Sequence, residues 1–219
     1  MRFEFINETD GRVSNMIRTK QELTYYIECD QRALGIRKPG FKQKVKALIC
    51  PQIWKFEYLL RMCEYYTNLE NKTLFQKVLK GLYSLRYERL GVKLGYTVPV
   101  NVFGPGLALC HVGTVVVNRY ARFGSNARIH IGVNIGTEAG LDEQGHFDNT
   151  KSPRFGDNVY IGPGAKVYGM ITVGSDVAIG ANAVVNKDVP NHVTVAGVPA
   201  RVISQKGSVG LFEHGDLTK

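Results

Sequence analysis

The sequence predicts a mainly β chain with α, in which a parallel β-helix follows an α-helical N-terminal domain. Two observations predict this fold. Over residues 19–93, apolar residues recur at spacings of three and four, as they do along one face of an α-helix. After Gly95 that period ends, and large apolar residues recur every six positions. A period of six is the repeat of a triangular coil of short parallel strands.

The helical period assigns residues 1–95 to the N-terminal domain. Asn68, Asn71 and Lys72 interrupt the apolar pattern, and we expect them to separate two helices. The aromatic residues of this region are more typical of a packed core than of a cofactor site.

The six-residue period defines the second domain, residues 96–205, and leaves residues 206–219 as a C-terminal tail. One series holds Phe155, Ile161, Val167, Val173, Ile179 and Val185, and a second series, four places on, holds Val159, Ala165, Ile171, Val177, Ala183 and Val189. Each hexapeptide is expected to form one face of a prism with its large residue inside, so that three hexapeptides close one turn.

One interval breaks this period. Ile135 and Phe155 are 20 residues apart, two more than three hexapeptides, and the stretch between them is polar and contains glycine. We interpret it as a loop that leaves the coil, and loops on a rigid scaffold commonly carry function.

Charge is unevenly distributed along the chain. The formal net charge is +9, and residues 1–95 hold 18 Lys and Arg against 10 Asp and Glu. A basic half attracts anionic partners such as phospholipid headgroups or phosphorylated substrates, although a solvated helix surface explains the charge equally well. The sequence shows neither a signal-peptide pattern nor an apolar stretch of membrane-spanning length, and a cytoplasmic protein is expected.

His111 stands in the apolar run "LALCHVGTVVV", residues 107–117. A lone histidine in such a run is more often a core residue whose nitrogens are satisfied than a functional one. The run by itself leaves both interpretations open.

Longer motifs favour the functional interpretation. The tract "NVYIGPGAKVYGMITVGSDVAIGANAVVNKDVPNHVTVAGVPARVI" resembles the hexapeptide-repeat acyltransferases, whose fold is a left-handed parallel β-helix. Within that group, "FGPGLALCHVGTVVVN" followed by "GVNIGT" is most similar to serine acetyltransferases, including their helical N-terminal region. The left hand of the coil comes from this resemblance, because the spacing does not specify it.

The resemblance implies an acetyl-CoA-dependent O-acetyltransferase with His111 as the general base and no metal. An attacking hydroxyl must lose a proton, and imidazole has an unperturbed pKa near neutrality. The resemblance also places several small or basic residues beside coenzyme A. The implied cofactor-binding residues are Gly136, Thr137, Pro163, Ala181, Ala196, Gly197 and Arg201.

The acceptor positions depart from serine acetyltransferases. Those enzymes pair the histidine with an aspartate at the position of Tyr96 and have another aspartate at the position of Cys110, while Lys151 falls near their carboxylate-binding pair. Since most of the charges that would recognise an amino acid are absent, the predicted acceptor is a saccharide hydroxyl of capsule or exopolysaccharide assembly, with His130 lining the cleft. The alternative acceptor is the serine of cysteine biosynthesis.

Assembly and partners are inferred in the same way. The family implies a homotrimer, with a hexamer through the helical domains as the alternative. The basic N-terminal half suggests peripheral contact with the inner membrane surface. Nucleic acid is not an expected partner, because residues 1–95 contain no recognisable binding motif. A zinc-dependent carbonic anhydrase-like protein, with His111, His130 and His146 as ligands, is the least favoured alternative.

Overall fold

The computed structural model describes residues 16–36, 52–138, 140–141, 145–146, 148 and 150–212. Part of the expected helical domain, residues 1–15 and 37–51, therefore lies outside the described residues. The same holds for part of the loop after residue 138 and for tail residues 213–219.

Three helices precede the strands, and the expected break between two of them is confirmed. They are α1 (Lys20–Ala33), α2 (Gln52–Asn68) and α3 (Leu74–Leu94). Thr73 begins α3 with a capping box, since its hydroxyl accepts from the Gln76 N–H while the Gln76 side chain accepts from the Thr73 N–H. Gly95 ends the helix at φ 79°, a left-handed conformation that glycine adopts without a steric penalty. In the part of the chain that is described, no helix is long and apolar enough to cross a membrane.

Short strands make up the rest of the fold. They are β1 (Tyr96–Thr97), β2 (Ala108–Leu109), β3 (Val115–Val117), β4 (Arg122–Phe123), β5 (Arg128–Ile129), β6 (Asn134–Gly136), β7 (Arg154–Phe155), β8 (Tyr160–Ile161), β9 (Lys166–Tyr168), β10 (Thr172–Val173), β11 (Ala178–Ile179), β12 (Val184–Val185), β13 (Thr194–Gly197) and β14 (Ala200–Ser204). They form a five-stranded sheet β1-β3-β6-β9-β12, a three-stranded sheet β10-β7-β4 and a six-stranded sheet β14-β13-β11-β8-β5-β2. All pairings are parallel except that of β13 with β14. The predicted left-handed parallel β-helix is confirmed.

Strand register fixes the length of one turn. Tyr160 pairs with Ala178, eighteen residues on, so that three hexapeptides close a turn as expected. Ile129 instead pairs with Ile161, thirty-two residues on. The loop between β6 and β7 therefore adds fourteen residues to a single turn, whereas comparing the interval from Ile135 to Phe155 with three hexapeptides gave an excess of only two.

The inward residues of both six-residue series form one core. All twelve are at most 9% exposed. At the start of the coil, Phe103, Phe123 and Phe155 stack with ring centroids 4.4 and 3.9 Å apart. Phe56 and Leu60 of α2 belong to the same apolar cluster, which anchors the helices on the first turn.

A buried charge network also joins the helices to the first turn. Arg61 of α2 is fully buried, and its guanidinium contacts Asp30 of α1 at 2.7 Å and Glu64 at 2.9 Å. It also donates to the carbonyl oxygens of Phe103 and Gly104.

The two acidic partners accept backbone N–H groups of the same turn. Asp30 accepts from Gly106 and Leu107, and Glu64 accepts from Asn101. The first turn of the β-helix has no preceding turn to form hydrogen bonds with its backbone groups, and buried backbone groups need hydrogen-bond partners. The helical side chains provide them.

Candidate active site

His111 lies at the edge where the chain passes from the six-stranded to the five-stranded sheet. It follows β2 and is exposed. Since inward positions of the coil are buried, a ring sealed inside the prism is ruled out. The interpretation of His111 as a core histidine is therefore wrong.

Register aligns further residues along this edge. Successive strands of the six-stranded sheet pair through Leu109, Ile129, Ile161, Ile179 and Val195. The residue two positions after each of these lies at the edge of the prism. We call these edge residues the histidine edge: His111, Ile131, Pro163, Ala181 and Gly197. Bonds from Gly164 N–H to Ile131 O and from Asn182 N–H to Pro163 O connect its turns.

Three of the predicted cofactor residues thus share an edge with His111. Pro163, Ala181 and Gly197 are exposed, and Ala196 beside them is half-buried. Arg201 lies on β14 and lines a shallow cavity of about 280 Å³ together with Lys187 and Asp188. The edge therefore offers small exposed residues near the histidine and positive charge at its far end.

Gly136 and Thr137 lie elsewhere, at the corner that follows the five-stranded sheet. A Cβ atom at Gly136 would approach no atom closer than 3.7 Å, so stacking of the coils does not require glycine there. The Thr137 hydroxyl donates to the Lys151 carbonyl at 2.9 Å and closes the base of the loop. Lys151 also contacts Asp148 at 3.8 Å. Within one chain, this corner and the histidine edge are separate.

A column of rings continues from His111 across neighbouring turns. Its centroid is 5.6 Å from that of His130, which lies 5.1 Å from the ring of Tyr160. Cys110 is half-buried, and its N–H donates to the Ile129 carbonyl. These side chains give the surface beside His111 a polar and aromatic character.

Tyr96 contacts the backbone of His111. It is 5% exposed, and its hydroxyl donates to the backbone carbonyl of His111 at 2.7 Å. Burial raises the pKa of the Tyr96 phenol, which keeps the hydroxyl protonated as a donor. Among the residues that the structure describes, none forms a hydrogen bond with the imidazole nitrogens of His111.

Glu57 is a residue that the sequence reasoning missed. It lies on α2, is fully buried, and accepts the N–H of Leu109 at 2.8 Å. Burial raises the pKa of its carboxyl group well above the ordinary value, and the nearby Asp30 raises it further. The signal in the sequence is an acidic residue inside the apolar stretch "IWKFEYLL".

His111 and His130 lie side by side, but a third ligand for zinc does not join them among the described residues. His146 lies in the loop after β6. Over the described ranges, no three His, Cys, Asp or Glu side chains are grouped so that they could hold a metal ion.

Comparison with known proteins defines the class of this fold. Residues 152–187 match the family model described as bacterial transferase hexapeptide (six repeats). Of the strands that align along the histidine edge, β8 and β11 lie within this match.

Individual relatives are serine acetyltransferases. The chain is 40% identical over 116 residues to the enzyme of Staphylococcus xylosus, covering 52% of this chain and 51% of that one. It is 41% identical over 107 residues to that of Mycobacterium tuberculosis, covering 49% and 44%. It thus spans about half the length of the curated relatives it matches.

The likeness extends to the three-dimensional structure. Serine acetyltransferase from Brucella abortus strain S19, solved in complex with coenzyme A, superposes with a TM-score of 0.64 at 27% identity, covering 86% of this chain and 70% of that one. The predicted resemblance to the serine acetyltransferase type of hexapeptide protein is confirmed.

Proposed function

We propose that this protein is an acetyl-CoA-dependent O-acetyltransferase of the serine acetyltransferase type, with His111 as its general base. The observation that carries the proposal is the exposed imidazole on an edge lined by small residues, in a fold shared with a serine acetyltransferase solved with coenzyme A. Backbone next to small residues is accessible to a long, thin ligand arm.

The chemistry follows from the position of this imidazole. A neutral His111 accepts the proton of the acceptor hydroxyl while the oxygen attacks the thioester carbonyl. The tetrahedral intermediate expels the thiolate of coenzyme A, and the imidazolium gives the proton from the acceptor hydroxyl to this thiolate. The acetyl group moves directly to the acceptor, so no covalent intermediate on the protein is needed.

Parts of the chain fit the acetyl donor. Pro163, Ala181 and Gly197 leave the histidine edge open for the pantetheine arm, and Arg201 supplies positive charge for phosphate. The free space at Gly136 suits contact with the same ligand from a neighbouring subunit, because that corner lies away from His111 within one chain.

Serine is the first candidate for the acceptor. The relatives named above are called serine acetyltransferases, and this similarity favours serine over the saccharide that the sequence predicted. One observation supports the saccharide as a second candidate: Tyr96 is buried against the backbone and Cys110 carries no fixed charge. A serine ammonium group therefore lacks the two aspartates that the resemblance implies.

Thiol release from acetyl-CoA tests the function and the acceptor together. The wild-type protein is assayed with serine and, separately, with candidate glycans. His111→Asn is expected to lose 10²-fold to 10⁴-fold in turnover, the range typical of a lost general base, and to bind coenzyme A as the wild type does.

His192→Asn is the matched control. His192 is an exposed histidine with φ 59° at a different corner, where it contacts Asp176. Asparagine tolerates that conformation, so this variant should keep wild-type turnover. Full turnover in His111→Asn would overturn the assignment of the base, and acetylation of glycans but not serine would overturn serine as the acceptor.

A further inference from the structure

The strand that leads into His111, β2, is the last strand of its sheet. β2 pairs with β5 on one side only. Ala108 and Cys110 direct their N–H groups towards that neighbour. The backbone groups that alternate with them point towards the open side, where no strand follows.

Two buried side chains occupy that open side. Glu57 of α2 accepts the N–H of Leu109, and Tyr96 of β1 donates to the carbonyl of His111. The two bonds measure 2.8 and 2.7 Å and flank Cys110 on the chain. Both are made by the side chains of well-packed residues, which are 0% and 5% exposed.

A cluster of aromatic rings packs behind these two side chains. The ring of Phe56, next to Glu57 in sequence, packs edge-on against Tyr96 with centroids 5.0 Å apart and stacks on Tyr87 at the same distance. The helical region and β1 therefore contact β2 and His111 on one side, while β5 pairs with β2 on the other side.

We propose that Glu57 and Tyr96 are positioning residues that fix the general base through its backbone rather than through its ring. This inference rests on the proposed function. In the resemblance drawn from the sequence, a carboxylate orients the imidazole directly, and here Tyr96 stands at that position with its hydroxyl on the main chain. The two contacts replace that carboxylate as the means of placing His111 against the thioester.

A purely stabilising role would lower the melting temperature and leave turnover of the folded protein unchanged. A positioning role instead lowers kcat at an unchanged coenzyme A affinity, since the reacting groups are misplaced although the cofactor still binds. A misplacement of about 1 Å can cost on the order of 10²-fold in rate.

The test uses paired variants of the full chain. Tyr96→Phe removes one hydroxyl and keeps the ring, and we expect a roughly 10-fold to 10²-fold fall in kcat. Glu57→Leu removes the acceptor for the Leu109 N–H and should lower kcat comparably. Glu57→Gln keeps a carbonyl oxygen at that place and should recover most of the turnover lost in Glu57→Leu.

Tyr87→Phe is the matched control, because it removes another phenol hydroxyl from the same aromatic cluster without touching the His111 strand. It should keep wild-type kcat. Hydrogen–deuterium exchange followed by mass spectrometry gives a readout independent of activity: exchange in residues 107–117 should rise in Tyr96→Phe and Glu57→Leu and stay low in Tyr87→Phe.

The outcomes separate this inference from the proposed function. If the wild type transfers no acetyl group, the proposed function fails. If the wild type is active and both Tyr96→Phe and Glu57→Leu keep its kcat, the positioning role is overturned. This holds whether or not hydrogen–deuterium exchange increases in these variants. A fall in kcat with increased exchange confined to residues 107–117 supports the role.

Discussion

Glu57 combines two properties that make the stability of the protein depend on pH. Its carboxyl group is fully buried, and its second oxygen finds no hydrogen-bond partner among the described residues. Burial raises the pKa of this group in the folded state. The folded protein therefore holds a proton that the unfolded chain releases above its own, lower pKa.

This difference predicts the sign of the effect. Where the folded state binds more protons than the unfolded state, the free energy of unfolding falls as pH rises. The wild type should thus lose stability relative to Glu57→Gln between pH 5 and pH 8, because glutamine does not titrate. Urea denaturation of both proteins at these two pH values measures the change.

Glu70→Gln provides the comparison at an exposed position. Its stability relative to the wild type should vary little over the same range. The raised pKa of Glu57 would be contradicted by an equal pH dependence of stability in the two variants. It would also be contradicted if the wild type became more stable relative to Glu57→Gln as pH rises.

At this scale, the sequence could propose His111 as a candidate base but not the side chains that bond to its stretch of backbone. The histidine stands inside a recognisable motif. Glu57 and Tyr96 act through contacts 52 and 15 residues away in the chain. Each contact is with a backbone N–H or carbonyl group, and the sequence does not distinguish one such group from another. A buried glutamate in an apolar helix was the available signal, and it does not say which backbone group it meets.

The stability of the β-helix depends on close contact between successive turns. At Gly156, an added Cβ would lie 2.6 Å from the backbone nitrogen of Ser175 and 2.9 Å from the carbonyl carbon of Gly174. Backbone of the next turn cannot move away without breaking its own pairing. Gly156→Ala should therefore destabilise the protein by about 1–3 kcal/mol, the usual cost of overpacking.

The same glycine-to-alanine substitution in a helix should stabilise the protein. A Cβ at Gly81 in α3 meets nothing within 4 Å, and alanine in a helix interior is favoured over glycine by about 0.5–1 kcal/mol. Thermal unfolding of the two variants checks both signs. Equal effects would show that contact between turns does not control the β-helix.

The elements were predictable where a period is regular and less so where it is interrupted. The six-residue spacing predicted the strands from Phe155 to Val185 and their inward residues. The interval from Ile135 to Phe155 indicated a loop, but it was compared with three hexapeptides, whereas the pairing of Ile129 with Ile161 shows that only one hexapeptide of coil separates the two residues. Register is a property of two strands, and one stretch of sequence does not contain it.

For the molecule as a whole, Arg61 connects α1, α2 and the first turn of the β-helix. Removing its guanidinium in Arg61→Met would leave the fully buried carboxylates of Asp30 and Glu64 without their counter-charge. Breaking a buried ion pair in this way typically costs about 3–5 kcal/mol. Arg119→Met, at an exposed site, should change stability by no more than about 0.5 kcal/mol, and urea denaturation compares the two.

Loss of Arg61 should also be visible at a distance. Since its partners hold the backbone of Asn101, Gly106 and Leu107, hydrogen exchange should increase in the first turn and less in the last turns. A uniform increase throughout the chain, or wild-type stability, would contradict the role of Arg61 as the link between the helices and the coil.

The β-helix carries two different exposed apolar patches. Val112 and Ile131 are 55% and 38% exposed beside His111, while Met170 is 72% exposed with Tyr168 at the corner that follows the five-stranded sheet. A closed ring of identical subunits needs two unlike, complementary surfaces on each copy. We propose that, in the predicted trimer, the patch of Tyr168 and Met170 of one subunit covers the patch of Val112 and Ile131 of the next and brings Gly136 towards His111 across the boundary.

Met170→Asp tests this arrangement, because a charge placed in a buried apolar contact opposes association. Light scattering should show the wild type at about 73 kDa, three times the 24.4 kDa of one chain, and Met170→Asp close to the mass of one chain with acetyl transfer largely lost. Val209→Asp, at an equally exposed apolar residue near the far end of the coil, should remain a trimer. A monomeric Met170→Asp variant with full activity would show that a single chain contains the complete site.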